Sequence, residues 1–538
     1  MVRFHLAMRP IFEKSGKQRG LLPALAGAGV CLLSFILYLL TLAPTILYYE
    51  LPVLRDSAVL QVKSYVLGIP DYTGYPTYVM LGKLFTYLPV GDEAYRVNLA
   101  SAVYATLAVL FVYLIGYLLT GRPVAAAAGA LAFGISRIFW SQAVIAEVYT
   151  LNALFAAATI FVFLLWRRTR RDRYLLLAAF LCGLSLTHHI TSGMLIPAGL
   201  LFVLAVEPGK LLEAGLVLKA AGLFILGLLP YIFLPIRASM DYLPAGWTWD
   251  QPKIAKYPPD TFYGFYNLVS GGAWKGRMWA FGPSELPERF SMYLDYLYGN
   301  LGQFNVALVL VALLGVFYLI YRDAPGAILL GVLFLGWLFH ALEYNIEDIQ
   351  YYFIPTYLVL GVFMAVGFGA LLDAVDGLSE RLPSVVRVGT LVLLSVAMLV
   401  LPLPGFTDTY AAVDRSGDYE GRRMMDAVAR ETEPNATVLH HRSPLYYMIL
   451  VDDRREDLTL INYLEKNAGP PRFKGIPEAK TALEDGPVYL LLPGENTTPY
   501  YMGVEDSRSL YRRVGLDLIP VDEDTLLYEV IRLGKENT

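Results

Sequence analysis

The stretch Tyr48-Tyr-Glu-Leu-Pro-Val-Leu-Arg-Asp-Ser-Ala-Val-Leu-Gln61 follows the apolar run Leu21–Ile46. That run exceeds the roughly 20 apolar residues a helix needs to cross hydrocarbon with its backbone groups satisfied internally. Glu50, Arg55 and Asp56 then appear where the chain leaves the lipid. Asp56 reads in two ways, as a polar residue at a membrane exit or as the centre of a reaction. The rest of the chain has to separate them.

The 538 residues are 56% hydrophobic and only 17% charged, with mean hydropathy +0.49. The apolar residues gather into long runs, among them Ala94–Leu119, Leu151–Trp166, Gly215–Ile236, Val306–Tyr321 and Val388–Leu403. A polytopic α-helical membrane protein follows. Net charge −4 with no basic domain excludes a nucleic-acid binder. Cys31 and Cys182 both sit in apolar runs, so neither a disulfide framework nor a cysteine metal site is expected. The basic tail of residues 1–20 precedes a run too long for a signal peptide and lacks a small-residue cleavage site, so an uncleaved first span is expected.

Hydropathy predicts about 11 spans. They lie near 21–46, 94–119, 123–139, 143–166, 174–188, 191–206, 215–236, 303–321, 326–342, 351–372 and 387–403. Orientation comes from Lys and Arg in short loops. The tail, Arg122, the cluster Arg167–Arg173, Lys210 with Lys219, Arg322, and Arg381 with Arg387 fall on one side, which is then cytoplasmic. The transmembrane domain covers 21–404, with large outer loops 47–93 and 237–302. Residues 58–68 and 75–88 read as interfacial helices, and Trp247, Trp249, Trp274 and Trp279 suit the headgroup level. Beyond residue 404 charge becomes frequent, and short apolar runs (437–439, 458–462, 488–492, 525–530) alternate with helical patterns. Residues 405–538 therefore read as an extracytoplasmic soluble α/β domain. No internal repeat is visible, unlike transporters built from duplicated halves.

Asp56, Glu147, His188, His189, Arg237, Glu343 and Asp348 all fall at span ends on the outer side of this count. Each has a plain alternative. Asp56 and Asp348 read equally as solvated loop residues, Glu147 as an acid at a helix start, and Arg237 as an interface anchor. The adjacent histidines lack ligand spacing, so hydrogen bonding is expected of them rather than metal binding. His440-His441 is assigned no role. The signatures of serine hydrolases, zinc proteases, nucleotide-phosphate loops and dinucleotide folds are absent. Polar groups gathered at one membrane boundary suit a substrate half in lipid and half in water, such as a polyprenyl-phosphate sugar. Transfer needs a carboxylate to take the acceptor proton, a task that fits Asp56. It also needs cationic or hydrogen-bonding groups for the departing phosphate, and Arg237, His188 or His189 fit that.

The segment Asp56-Ser57, then Gly68-Ile-Pro-Asp-Tyr-Thr-Gly-Tyr-Pro-Thr-Tyr-Val-Met-Leu-Gly-Lys-Leu-Phe85, then Tyr95-Arg-Val-Asn-Leu-Ala-Ser-Ala102, resembles a GT-C glycosyltransferase family. That family includes many bacterial membrane proteins and the animal protein O-mannosyltransferases acting on plexin-type domains. Ala146-Glu-Val-Tyr-Thr-Leu-Asn-Ala-Leu154, Gly183-Leu-Ser-Leu-Thr-His-His189 and Asp348-Ile-Gln-Tyr-Tyr-Phe-Ile-Pro-Thr-Tyr357 are similar to its later signatures. The likeness spans residues 25–360. It implies a GT-C fold and an inverting enzyme fed by a polyprenyl- or dolichyl-phosphate sugar. Asp56 takes the place of the family's first-loop acid. Tyr75, Glu147, Tyr149, His188, His189, Asp348 and Tyr351, with Arg237, are expected to contact substrate. The implied location is a multi-pass protein of a bacterial plasma membrane, acting on a protein, glycan or lipid acceptor. A divalent metal is left open. Ala58-Val59 stands where the family has Gly-Glu, and Asp71-Tyr72-Thr73 where it has a His-Pro-Pro run. The competing reading is a non-catalytic transporter, flippase or scaffold for lipid-linked sugars; a transporter would place ionisable residues at mid-bilayer rather than at one face.

Overall fold

The computed structural model describes residues 20–48, 55–69, 73–240, 259–299, 302–378, 383–440, 444–462, 464–465, 472–473, 475–492 and 504–533. Most of the basic tail, Glu50, Asp71, Tyr72, Trp247, Trp249 and His441 lie outside them.

The apolar runs become helices. In chain order these begin α1 (Leu21–Leu40), α2 (Arg55–Val66), α3 (Pro76–Phe85), α4 (Glu93–Thr120), α5 (Pro123–Gly134), α6 (Arg137–Ala143), α7 (Tyr149–Thr169), α8 (Arg173–Leu186), α9 (Leu195–Val206), α10 (Ala214–Gly227) and α11 (Phe233–Ala238). Among the described residues six helices are long and apolar enough to span a bilayer, and up to seven if the bent pair α5–α6 counts as one. The expected spans near 174–188, 191–206, 303–321 and 387–403 appear as shorter apolar helices, Arg173–Leu186, Ile190–Val206, Val306–Arg322 and Ser384–Val400. Helices form where 58–68 and 75–88 suggest them, as α2 and α3, but α2 is buried along Ser57–Ser64 instead of lying open at an interface.

The helix Ile354–Leu378 is the buried axis of the bundle, with its residues from Ile354 to Ala370 all inside. Small residues let neighbours close on it. A Cβ at Gly129 of α5 would strike the Gly361 carbonyl oxygen, so glycine is what permits that approach. The sequence reading ran one span through 123–139; the chain instead bends by 71° between α5 and α6. A break at this depth frees backbone groups that lipid cannot satisfy. Here Tyr38 Oη donates to the Gly134 carbonyl at 2.7 Å, and the Ile138 N–H donates to Gln303 Oε1 at 2.6 Å.

After the helix Phe406–Val413 the chain builds a small α/β unit. Its strands are β1 (Thr437–His440), β2 (Thr459–Asn462), β3 (Leu464–Glu465), β4 (Arg472–Phe473), β5 (Val488–Leu491), β6 (Leu516–Asp522) and β7 (Leu527–Arg532). The main sheet has order β2-β1-β5-β7-β6. β1 pairs in parallel with β2 and β5, while β7 runs antiparallel to β5 and β6. Met424, Met425 and Val428 of the helix Glu420–Glu431 join Tyr446, Tyr447 and Ile449 of the helix Leu445–Leu450 in one apolar cluster. That cluster also takes in Ala58 and Val62 of α2, so the unit is packed onto the first-loop helix.

Candidate active site

Helix α4 organises the site. Asn98 and Ser101, one turn apart, are both fully buried. Asn98 Nδ2 donates to the carbonyls of Ala43 at 3.1 Å and Thr45 at 3.3 Å, and Asn98 Oδ1 accepts from Gln61 Nε2 at 2.7 Å. Ser101 Oγ accepts from the Glu147 N–H at 3.3 Å. The Ala43 N–H also donates to the Val144 carbonyl at 3.0 Å. The chain entering α2 and the loop between α6 and α7 are thereby held against the same face of one helix. These are the segments that carry Asp56 and Glu147.

Glu147 is 4% exposed. Burial lifts its carboxyl well above the ordinary carboxylate range, and the nearby Asp56 and Asp348 lift it further. Acids far apart in the sequence therefore converge. The Asp348 carboxylate accepts from Tyr149 Oη at 2.9 Å, and the Tyr149 ring lies 5.2 Å from that of Tyr351.

The histidines close the other side. His188 Nε2 donates to the Val148 carbonyl at 2.8 Å, which fixes the tautomer with the proton on Nε2. His189 Nδ1 bonds the Thr191 hydroxyl at 2.7 Å. Burial pushes His188 down to about 4 and His189 to about 3, so both rings are neutral at pH 7. They can donate or accept hydrogen bonds to a phosphate, but they bring it no charge.

Tyr75 sits between the two, with ring centroids 6.2 Å from His188 and 6.0 Å from His189. Its backbone is left-handed, φ 36° and ψ 43°, directly before Pro76. A bulky residue there is strained, and α-type conformations before proline are disfavoured as well. Strain of this kind collects at sites where the surroundings dictate a side-chain direction. Tyr75, Glu147, Tyr149, His188, His189, Asp348 and Tyr351 thus form one connected group with Asp56 at its edge. Arg237 is engaged elsewhere: Nε and Nη2 donate to the carbonyls of Leu67 at 2.7 Å and Val66 at 2.8 Å, holding the end of α2.

Three members of this group escaped the sequence reading. Tyr78 stacks on His188 at 6.0 Å, Tyr352 lies 5.8 Å from His189, and His340 lies 6.2 Å from Tyr352. His340 had a signal, being an ionisable residue inside the apolar run 324–342. Tyr78 and Tyr352 were hidden among 38 tyrosines. Ala58, at the family's Gly position, belongs to the apolar cluster shared with the C-terminal unit. Among the described residues no group of three or more His, Cys, Asp and Glu could hold a metal ion. What the arrangement offers is a group of carboxyls, neutral hydrogen-bonding imidazoles and several aromatic faces.

Residues 56–211 match the protein O-mannosyl-transferase TMEM260 N-terminal domain family, a match that begins at Asp56 itself. The chain is 31% identical to mouse protein O-mannosyl-transferase TMEM260 over 227 residues, 40% of this chain and 32% of that one. It is 23% identical to the Dictyostelium discoideum protein O-mannosyl-transferase tmem260 over 278 residues, 48% of this chain and 33% of that one. The chain therefore spans about a third of the length of these curated relatives. Both are eukaryotic, so the bacterial location expected from the sequence gains no support. Among solved structures, ArnT from Cupriavidus metallidurans bound to undecaprenyl phosphate superposes with TM-score 0.57 at 10% identity, covering 94% of this chain and 98% of that one. The Archaeoglobus fulgidus oligosaccharyltransferase in its apo form gives TM-score 0.52 at 14% identity, covering 81% of this chain and 64% of that one. Residues 56–211 are thus similar to the TMEM260 O-mannosyltransferase N-terminal domain, the chain shares the fold of these solved structures, and its long apolar helices make it an integral membrane protein.

Proposed function

We propose that this chain is an inverting glycosyltransferase that moves a sugar from a polyprenyl- or dolichyl-phosphate donor to an acceptor hydroxyl. The observation that carries the proposal is the meeting of Asp56, Glu147 and Asp348 beside a neutral His–Tyr cluster. Asp56, at the start of α2, takes the acceptor proton as the hydroxyl attacks the anomeric carbon. The bond to the lipid phosphate breaks on the opposite side, which inverts the centre. His188 and His189 hydrogen-bond the departing phosphate, and Tyr75, Tyr149 and Tyr351 hold the sugar ring. Glu147 in its protonated form and Asp348 orient the sugar hydroxyls.

The relatives' names favour mannose as the sugar and a protein as the acceptor. An extracytoplasmic face for the site and the C-terminal domain is supported by the basic residues at the opposite ends of the helices. A transporter or flippase finds less support, since Asp56, Glu147 and Asp348 meet near helix ends rather than midway along the long helices. The test is a transfer assay with a panel of polyprenyl-phosphate sugars and a hydroxyl-bearing peptide, run with and without chelator. Mannosyl transfer that is lost in Asp56→Asn is the expected result. No transfer from any donor in the panel, or full activity in Asp56→Asn, would overturn the assignment.

A further inference from the structure

One side chain of the C-terminal unit reaches several segments around the first loop. Arg422, near the start of the helix Glu420–Glu431, spreads its guanidinium over partners from separate elements. Nε donates to Thr45 Oγ1 at 2.9 Å, in the segment that leads into α2. Nη2 donates to Asp92 Oδ2 at 2.6 Å and to Tyr447 Oη at 3.4 Å, and Nη1 bonds Asp452. Asp92 is the N-cap of α4, its Oδ1 accepting from the Tyr95 N–H at 2.8 Å, and its Oδ2 also takes the Thr45 hydroxyl. A planar fork with fixed donors can serve such divergent partners at once, where a lysine ammonium cannot.

The same contact recurs along both flanks of Asp56. Before it, the Arg415 N–H donates to the Thr41 carbonyl at 3.0 Å, and Tyr48 Oη donates to the Leu492 carbonyl at 2.9 Å. Gly421 lies so close to the Ile46 carbonyl that a Cβ there would clash. After it, Ala58 and Val62 pack into the apolar cluster of Met424, Met425 and Tyr447. The Ala94 N–H donates to Tyr447 Oη at 3.2 Å. Helix α2 thus lies between the bundle, which it meets through Gln61 and Asn98, and the C-terminal unit, which it meets through Ala58 and Val62.

We propose that Arg422 is a positioning residue: through its fork on Thr45, Asp92 and Asp452 the C-terminal domain fixes the helix that carries Asp56, so that transfer requires this domain to be seated. The inference rests on the glycosyltransferase reading for its kinetic consequence but not for its structural one. Without the guanidinium, Asp92 and Asp452 face each other as like charges, which opposes the seating.

The test uses the full chain in lipid nanodiscs, with amide hydrogen exchange and transfer kinetics on Arg422→Gln, Arg422→Lys, Tyr447→Phe and Arg512→Gln. Arg422→Gln should speed exchange across α2 by about tenfold, the effect of losing one charge-assisted hydrogen bond. Strands β1, β5 and β7 should keep their protection. The same variant should lower kcat about tenfold or more while KM for the donor stays put. Arg422→Lys should recover part of both, Tyr447→Phe should shift both less in the same direction, and Arg512→Gln, at an exposed pair with Asp517, should change neither. Wild-type exchange across α2 in Arg422→Gln overturns the proposal. If that variant loosens the sheet as much as α2, Tyr447→Phe decides, and wild-type α2 exchange there overturns it equally. Since the exchange measurement needs no turnover, full activity in Asp56→Asn would sink the catalytic assignment and leave this one standing.

Discussion

Two charged clusters at opposite ends of the helix bundle, one around Arg167 and one around Glu147, are built in opposite ways. Helix α7 serves as a ruler, with Tyr149 in its first turn and Arg167 in its last, about 27 Å away at 1.5 Å per residue. At the Arg167 end, acids meet cations. Arg122 pairs with Asp373 at 2.8 Å and Asp376 at 3.1 Å, and Arg387 joins Asp376. Arg167 pairs with Asp323, and Lys210 reaches Asp172 and Glu213, each at 3.0 Å. At the Tyr149 end, the charges felt by Glu147 are the carboxylates of Asp56 and Asp348, and the neighbouring histidines are neutral. Matched pairs staple helices together. Like charges brought together cost stability, and such groupings cluster at functional sites.

Substitutions at each end should therefore fail differently. The largest effect is expected at Asp56, where Asp56→Asn should cut the transfer rate by about 10²- to 10⁴-fold with the folded fraction unchanged, as removal of a general base does. Steady-state rates on monodisperse protein check this, and a loss below tenfold would erase the contrast. Next comes Tyr149→Phe, which strips Asp348 of a hydrogen bond worth about 1.5–3 kcal/mol, so kcat/KM should fall roughly 10- to 100-fold.

Glu147 sharpens the comparison through pH. Its folded carboxyl is lifted above the ordinary value of about 4.3, so folding binds its proton more tightly than the unfolded chain does. That stabilisation is complete below the ordinary value and is lost as pH rises through the lifted one. Glu147→Gln removes this slope, worth up to about 1.4 kcal/mol per pH unit. Its Tm should fall less than the wild type's between pH 5 and pH 8; parallel curves would show that the two ends do not differ. Smallest is Arg122→Ala, at a pair with side chains 33% and 42% exposed. It should cost under about 1 kcal/mol, diminish further in high salt and leave transfer unchanged.

Sequence patterning shows the membrane helices because long apolar runs have few other uses, and α2 and α3 are visible at their boundaries. The bend after Gly134 is not, because what holds it comes from Tyr38 and Gln303, far away in the chain. In the C-terminal unit β1, β2, β5 and β7 follow from short apolar runs, but β6, interrupted by Pro520, is not among those runs. It is an edge strand, where a missing N–H is tolerated. The site is legible as a set of residue types at span ends. Which of them touch is not, since that depends on Asn98 and Ser101 of α4, polar residues within an apolar run whose partners no local pattern names. Arg237 shows the same gap: its position suits a phosphate, and its hydrogen bonds go to the end of α2.

The bend between α5 and α6 also bears on how the protein is made. The Ile138 N–H belongs to the first turn of α6, where a helix has no internal partner for its donors. Its acceptor, Gln303, is synthesised 165 residues later. While the chain emerges, the short helix that leads to Glu147 is anchored at its upstream side by Tyr38 and has no acceptor yet for this donor. The hydrogen bond that completes this end of α6 therefore waits until Gln303 has been made, so the turn leading to Glu147 is finished late in synthesis, after the helices up to α11.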